Sequence, residues 1–123
     1  MAKLKLNWSS RYEYTGSNVN VYAPTGGGVY RLVHKSGDEY YVFYVGQAAN
    51  IDERLRQHLA ATEPDACIKR HLRDYTCYFR YAMVSSLTDR NGAERALYDQ
   101  YKPTCNNVSP PGLPADINFE GDC

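Results

Sequence analysis

The stretch from Gly28 to Leu59 constrains this chain more than any other. Gly28-Val29-Tyr30 opens a run to Lys35 in which Val29, Arg31 and Val33 alternate with Tyr30 and Leu32, the period of a strand. Ser36-Gly37-Asp38 is a turn signal, and Glu39 to Gln47 reads as the return strand of a hairpin. Strict alternation there puts Tyr40, Val42, Tyr44 and Gly46 on one face and Tyr41, Phe43 and Val45 on the other. Gly46 closes the strand without a side chain, so another group can approach its backbone. Asn50, with Glu53 three residues later, starts a helix that continues to about Ala61. Ile51, Leu55 and Leu59 form its buried stripe, and Arg54 and His58, one turn apart, lie beside that stripe. Two tyrosine-bearing strands thus deliver phenols, an arginine and a histidine to one place.

The flanking segments add elements around this hairpin and helix. Leu4, Leu6 and Trp8 alternate as a short strand does, and Val19 with Val21 suggests another before the glycine-rich turn at Pro24 to Gly28. No GxxxxGK[ST] follows those glycines, so they are read as a flexible approach to the next strand. Pro64 and Asp65 open a second helix to about Asp74, with Ile68 and Leu72 inward and Lys69, Arg70 and Arg73 outward. Thr76 to Ser85 is aromatic and β-rich and forms the third strand. A turn over Thr88 to Gly92 leads to a third helix from Ala93 to about Lys102, which Pro103 ends. Residues from Asn107 onward wrap the surface or fray. The expected fold is α/β (α+β), a small three-stranded, mainly antiparallel central sheet flanked by helices. It forms a single domain over 1–123, with a core at 28–106 and extensions at 1–27 and 107–123.

Whole-chain properties narrow the class further. At 123 residues the chain suits one domain. Fourteen basic residues balance fourteen acidic ones, so net charge offers no support for a polyanionic partner. The N-terminus has no apolar run of the secretory kind, and no segment approaches the ~20 apolar residues of a membrane span. Four cysteines, Cys67, Cys77, Cys105 and Cys123, show no CxxC pattern. They are read as free thiols in a reducing cytoplasm, with no structural zinc.

In motif and order these residues resemble the GIY-YIG nucleases. The two motif words stand as Gly28-Val29-Tyr30 and Tyr44-Val45-Gly46. Arg54 follows Gly46 by eight residues, His58 completes R-x-x-x-H, Glu94 falls in the third helix, and Pro103 to Asn106 matches a Pro-x-x-Asn ending. The resemblance covers roughly residues 28–106. It implies a divalent-metal-dependent endonuclease that hydrolyses phosphodiester bonds of nucleic acid, DNA favoured over RNA, with Tyr30, Tyr44, Arg54, His58, Glu94 and Asn106 as site residues. Glu94 would hold Mg²⁺ (or Mn²⁺), which keeps several waters. Arg54 would offer a permanently charged fork to phosphate, and His58 would relay a proton. Tyr30, a phenol of ordinary pKa near ~10, would activate water with help from a cation or base.

The sequence departs from the family at Gln47, where several members carry a phosphate-contacting lysine, and in a longer hairpin around Ser36 to Tyr41. Further phosphate contacts would come from Gln47, Lys69, Arg70 and Arg73, and specificity from a partner chain or self-association. Taken singly, each site residue also suits an ordinary packing role. Two alternatives therefore stand: a catalytically weak or inactive GIY-YIG-like module that binds nucleic acid or protein, and an unrelated domain whose cysteines serve redox chemistry.

Overall fold

The computed structural model describes residues 4–106, 109–110 and 112–119. The elements in chain order are β1 (Tyr12–Glu13), α1 (Gly16–Tyr22), β2 (Gly28–Ser36), β3 (Glu39–Ala48), α2 (Ile51–Leu59), α3 (Ala66–Asp74), β4 (Cys77–Met83) and α4 (Leu87–Tyr101). The sheet is antiparallel in the order β1-β4-β2-β3, with four strands rather than the expected three. The extra strand is only two residues long, pairing Tyr12 with Phe79 and Glu13 with Tyr78. Its neighbours, Arg11 and Tyr14, give no apolar alternation by which to recognise it.

Strand β2 lies inside the sheet and is covered on both faces, which is why Gly28 through Val33 are all buried. One face carries Val29, Val33, Val42 and Val45 against Ala93, Ala96 and Leu97 of α4, with Leu6 and Ile117 at the margin. The other carries Tyr30, Leu32, Phe43 and Phe79 against Val19, Ile51, Leu55 and Ile68 of α1, α2 and α3. The result is a three-layer arrangement with two apolar cores and one sheet between them.

Strict alternation in β3 fails at a β-bulge. Leu32 pairs with Tyr44 but Val33 pairs with Val42, leaving Phe43 as the extra residue. A bulge of this kind changes which face later residues occupy. Tyr44 therefore shares a core with Phe43 and Tyr30, while Val42 shares the opposite core with Val45.

Four other expectations are revised. Val19 and Val21 sit in helix α1, started by Thr15, whose side chain accepts from the Asn18 amide. Val19 is buried and Val21 exposed, so only one of the two valines serves a core. Thr88 to Gly92 is the first part of α4, because Ser86 caps the helix there and accepts from the Asp89 amide. Gly92 is useful inside the helix because a side chain would meet Ala115 at 3.1 Å, where the C-terminal segment packs. That segment does more than wrap: Ile117 is buried and bridges Leu4, and Asn118 both accepts from the Leu6 amide and donates to the Leu6 carbonyl. Finally, Cys67 and Cys105 are joined in a disulfide and Cys77 is a buried free thiol. A separation of 38 residues hides that the start of α3 and the loop after α4 meet in space. Cys123 lies outside the described residues.

Candidate active site

Tyr30 projects from β2 toward α2, opposite Gly46 on β3. The last residues of the two motif words, Tyr30 and Gly46, are thus cross-strand partners. A Cβ on Gly46 would stand 2.5 Å from the Tyr30 hydroxyl oxygen and 2.6 Å from Cζ, so the phenol lies across a backbone that only glycine leaves open. Tyr30 is 1 % exposed, and its hydroxyl stands 2.8 Å from His58 Nε2. The Tyr44 ring completes the group, with its centroid 6.2 Å from that of Tyr30 and 5.3 Å from that of His58.

Helix α2 supplies His58 and Arg54 because Asn50 caps its start, accepting from the Glu53 amide, and Ile51 and Leu55 anchor it in the core. Tyr14 fixes the helix further by donating to the Leu55 carbonyl at 2.6 Å. Beyond α2 the chain turns back, and Glu63, 6 % exposed, brings a carboxylate oxygen to 2.9 Å from His58 Nδ1. The same carboxylate accepts from the Asp65 amide. A carboxylate at Nδ1 fixes the tautomer by accepting the proton there, which leaves Nε2 free to accept from Tyr30. Tyr30, His58 and Glu63 thus form one buried chain. Glu63 was not among the expected site residues. Its only mark is an acid five positions after His58, a spacing too common to single out.

Burial depresses the His58 pKa from its ordinary value, and the Arg54 charge adds to that, against an opposing contribution from Glu63. Burial raises the Tyr30 pKa well above that of a free phenol, with Tyr44 adding and Arg54 opposing. Tyr44 is raised for the same first reason, opposed by Arg54, and Glu94 adds a smaller upward push. At neutral pH the resting arrangement is a phenol donating to a neutral imidazole.

Arg54 separates two open cavities and lines both. One, of about 290 Å³, is bounded by Gln47, Asn50, Glu53 and Gln57. The other, of about 420 Å³, is bounded by Tyr44, His58, Glu63 and Ile68. Its guanidinium donates to Gln57 at 3.0 Å. Glu94 is half-buried on α4, and its carboxylate makes no hydrogen bond or ion pair among the described residues. Burial alone raises its pKa to about 7. An unpartnered, poorly solvated carboxylate is a fitting oxygen donor for a hard divalent cation, which would supply the charge the site lacks.

Asn106 grips β3 next to Tyr44: its side chain donates to the Val45 carbonyl and accepts from the Val45 amide, each at 2.9 Å. Gln47 is already engaged at both ends of its amide, donating to Asn91 and accepting from the buried Arg90. Arg90 and Asn91 went unnoticed in the sequence because their stretch reads as a turn. Lys69, Arg70 and Arg73 share a groove with Ala66 on the outer face of α3. Lys69 donates there to the Ala61 carbonyl, and Arg73 pairs with Asp74. Tyr30, Tyr44, Arg54 and His58 therefore converge, Glu94 is near enough to act electrostatically on Tyr44, and the α3 cations stand outside this cluster.

An antiparallel sheet between helices thus brings phenols and an arginine together, with an unpartnered carboxylate on α4. Residues 26–107 match the model of the GIY-YIG catalytic domain. The chain belongs to the GIY-YIG family. Among solved structures it is similar to the GIY-YIG N-terminal endonuclease domain of UvrC from Thermotoga maritima bound to magnesium. That likeness is at 22% identity and a TM-score of 0.57, covering 73% of this chain and 92% of that one. A tyrosine-to-phenylalanine mutant of the same domain, bound to its catalytic divalent cation, matches at 22% identity and a TM-score of 0.58, covering 75% and 93%. An asparagine-to-alanine mutant, also cation-bound, matches at 20% identity and a TM-score of 0.56, again over 75% and 93%. These likenesses carry the fold. No curated protein matches the chain in sequence.

Proposed function

We propose that this protein is a divalent-metal-dependent endonuclease that hydrolyses phosphodiester bonds, acting on DNA in preference to RNA in the cytoplasm. The observation that carries the reading is the buried Tyr30–His58–Glu63 chain beside Arg54. In the proposed reaction Tyr30 takes a proton from the attacking water as its own passes to His58 Nε2, and Glu63 holds the resulting imidazolium. Arg54 favours the phenolate through its charge and presents donors to the phosphate oxygens. Tyr44 stands at the cavity wall, where its hydroxyl can donate to the same phosphate. Glu94 would hold the cation, and Asn106 keeps β3 in register beneath Tyr44. A bound Mg²⁺ (or Mn²⁺) supplies positive charge for the phosphate and the leaving oxygen. Lys69, Arg70 and Arg73 would track the backbone of a longer substrate, and Gln47 would reach phosphate only by releasing Arg90 or Asn91. Specificity would come from self-association or a partner chain.

A second reading, a weak or inactive module that binds nucleic acid or a protein, is favoured by the near-complete burial of Tyr30 and the engagement of Gln47. Nicking of supercoiled plasmid separates the two. The enzyme reading expects product with Mg²⁺, none with chelator, and a fall of about 100-fold in Tyr30→Phe and Glu94→Ala. Equal nicking by wild type and Glu94→Ala sinks the metal role. Salt-sensitive binding without cleavage supports the module.

A further inference from the structure

A second cluster of metal-ligating side chains adjoins the 420 Å³ cavity through Cys67 and does not include Glu94. Cys67, His71 and Cys105 place one ligand atom each within 4.8 Å of one another. Cys67 and His71 are one helical turn apart on α3, a pairing that a CxxC pattern does not cover, and Cys105 arrives from the loop after α4. We propose that, in the reduced protein, Cys67, His71 and Cys105 bind one zinc ion, with its fourth position open to water.

The nitrogen–sulfur geometry fits the ion, and reduction frees the two sulfurs to part to the ~3.8 Å that two thiolates on one zinc need. With Zn–S near ~2.3 Å and Zn–N near ~2.0–2.1 Å, a tetrahedral site puts sulfur and nitrogen about 3.6 Å apart. His71 Nδ1 stands 3.5 Å from Cys105 Sγ and 3.9 Å from Cys67 Sγ. The nitrogen is therefore already at ligand separation from both sulfurs. The ring is held by parallel stacking on Phe43, centroids 4.6 Å apart, so its plane is set before any ion arrives. Cys105 is fixed by its own amide, which donates to the Phe43 carbonyl at 2.8 Å. Cys67 is the second residue of α3, where the helix start favours an anion, and Arg70 places a guanidinium nitrogen 3.8 Å from its sulfur. Both effects favour the thiolate that zinc requires. Cys67 also lines the cavity, which supplies the path by which an ion enters.

Thiolate and imidazole together select zinc over Mg²⁺, which prefers oxygen. The site opens only when the Cys67–Cys105 bond is reduced. A dithiol reductant gives two electrons and two protons to that bond, leaving two cysteine thiols and a disulfide of the reductant. Zinc then displaces both thiol protons. His71 now donates from Nδ1 to the Cys67 carbonyl at 2.9 Å. On binding, that proton moves to Nε2 and the hydrogen bond is exchanged for the zinc–nitrogen bond. A reducing compartment is where the proposed site would be filled.

The test is metal binding by the whole chain, oxidised and dithiol-reduced, in competition with a chromophoric zinc chelator. Reduced wild type is expected to take one zinc per chain and the oxidised protein none. Cys67→Ser and Cys105→Ser should each weaken binding by about 100-fold, and His71→Ala by at least about 10-fold. Cys77→Ser should leave binding unchanged. Cobalt added to the reduced wild type should produce thiolate-to-metal charge-transfer absorption with the intense visible bands of a tetrahedral ion. That readout needs no variant to fold. Failure of reduced wild type to retain zinc, absence of the charge-transfer band, or equal retention by Cys67→Ser overturns the proposal. None of these outcomes depends on nuclease activity.

Discussion

Replacing Gly46 with alanine probes the closest contact in the site. The added Cβ would meet the Tyr30 hydroxyl oxygen at 2.5 Å and Cζ at 2.6 Å. Ordinary contact is about 3.5 Å, so the phenol must retreat by about 1 Å. Tyr30 is fully enclosed by the core around Leu32, Phe43 and Leu55 and cannot swing into solvent. Overpacking of this kind costs about 1–3 kcal/mol. At about 4 °C per kcal/mol for a domain of this size, the melting temperature should fall by ~4–12 °C. The same retreat stretches the 2.8 Å contact with His58 beyond hydrogen-bonding range. A displacement of about 1 Å in a positioned group costs about 100-fold in rate. Thermal unfolding and plasmid nicking, measured on the same preparation, read both effects. An unchanged melting temperature with full nicking would refute the crossing of Tyr30 over Gly46. Lowered stability with full turnover would keep the packing and remove Tyr30 from the chemistry.

Other consequences follow from the buried chain and from Glu94. Glu63→Ala leaves His58 Nδ1–H buried without an acceptor and should destabilise the protein by about 1–3 kcal/mol, while Glu63→Gln retains an acceptor and should lose less. Because Glu63 holds the His58 pKa up, Glu63→Ala should also move the acid limb of the nicking profile to lower pH; a shift to higher pH would contradict the relay. His58 has a folded pKa below its unfolded value near ~6.5, so the unfolded chain binds the extra proton. Stability contributed by the neutral form should therefore be complete above pH ~6.5 and decline as pH falls toward the folded value, a slope that denaturant melts of His58→Gln should lack. Glu94 runs the other way: its folded pKa is raised to about 7, so the folded state loses stability as pH rises from the unfolded value toward 7. Glu94→Gln should therefore stabilise the metal-free protein at pH ~8, by about 1 kcal/mol after allowing for its partial solvent access. Mg²⁺ should raise the melting temperature of the wild type and not of Glu94→Gln.

The sequence made the local features of this site readable and left the long-range ones hidden. Gly28 to Ala48 and the cap at Asn50 are local: strand period, turn residues and a side chain bonding the amide of Glu53. The faces of β2 followed from alternation alone, since Val29 and Val33 lie opposite Tyr30 and Leu32. Alternation could not foresee the bulge at Phe43, because no glycine or proline marks it and only the pairing with β2 decides it. The Cys67–Cys105 pair was hidden for the same reason, being defined by a partner that another segment brings in. Glu63, by contrast, is near His58 in sequence and was hidden because an acid at that spacing is too common to single out.

These hidden contacts divide the labour of the fold. Asn106 clamps Val45, and the amide of Cys105, the preceding residue, bonds the Phe43 carbonyl. Together they hold the exposed edge of β3 on either side of Tyr44, where a bulged edge strand would otherwise be free to slip. Cys67 ties the same loop to α3. Residues 103–106 and α3 thus secure from outside the sheet the tyrosine that the bulge turns toward Tyr30. A cut in the loop after α4 should therefore loosen Tyr44 before it loosens β2. Amide exchange tests this ordering: protection at Val45 should fall well before protection at Arg31 or Val33, which lie in the interior strand.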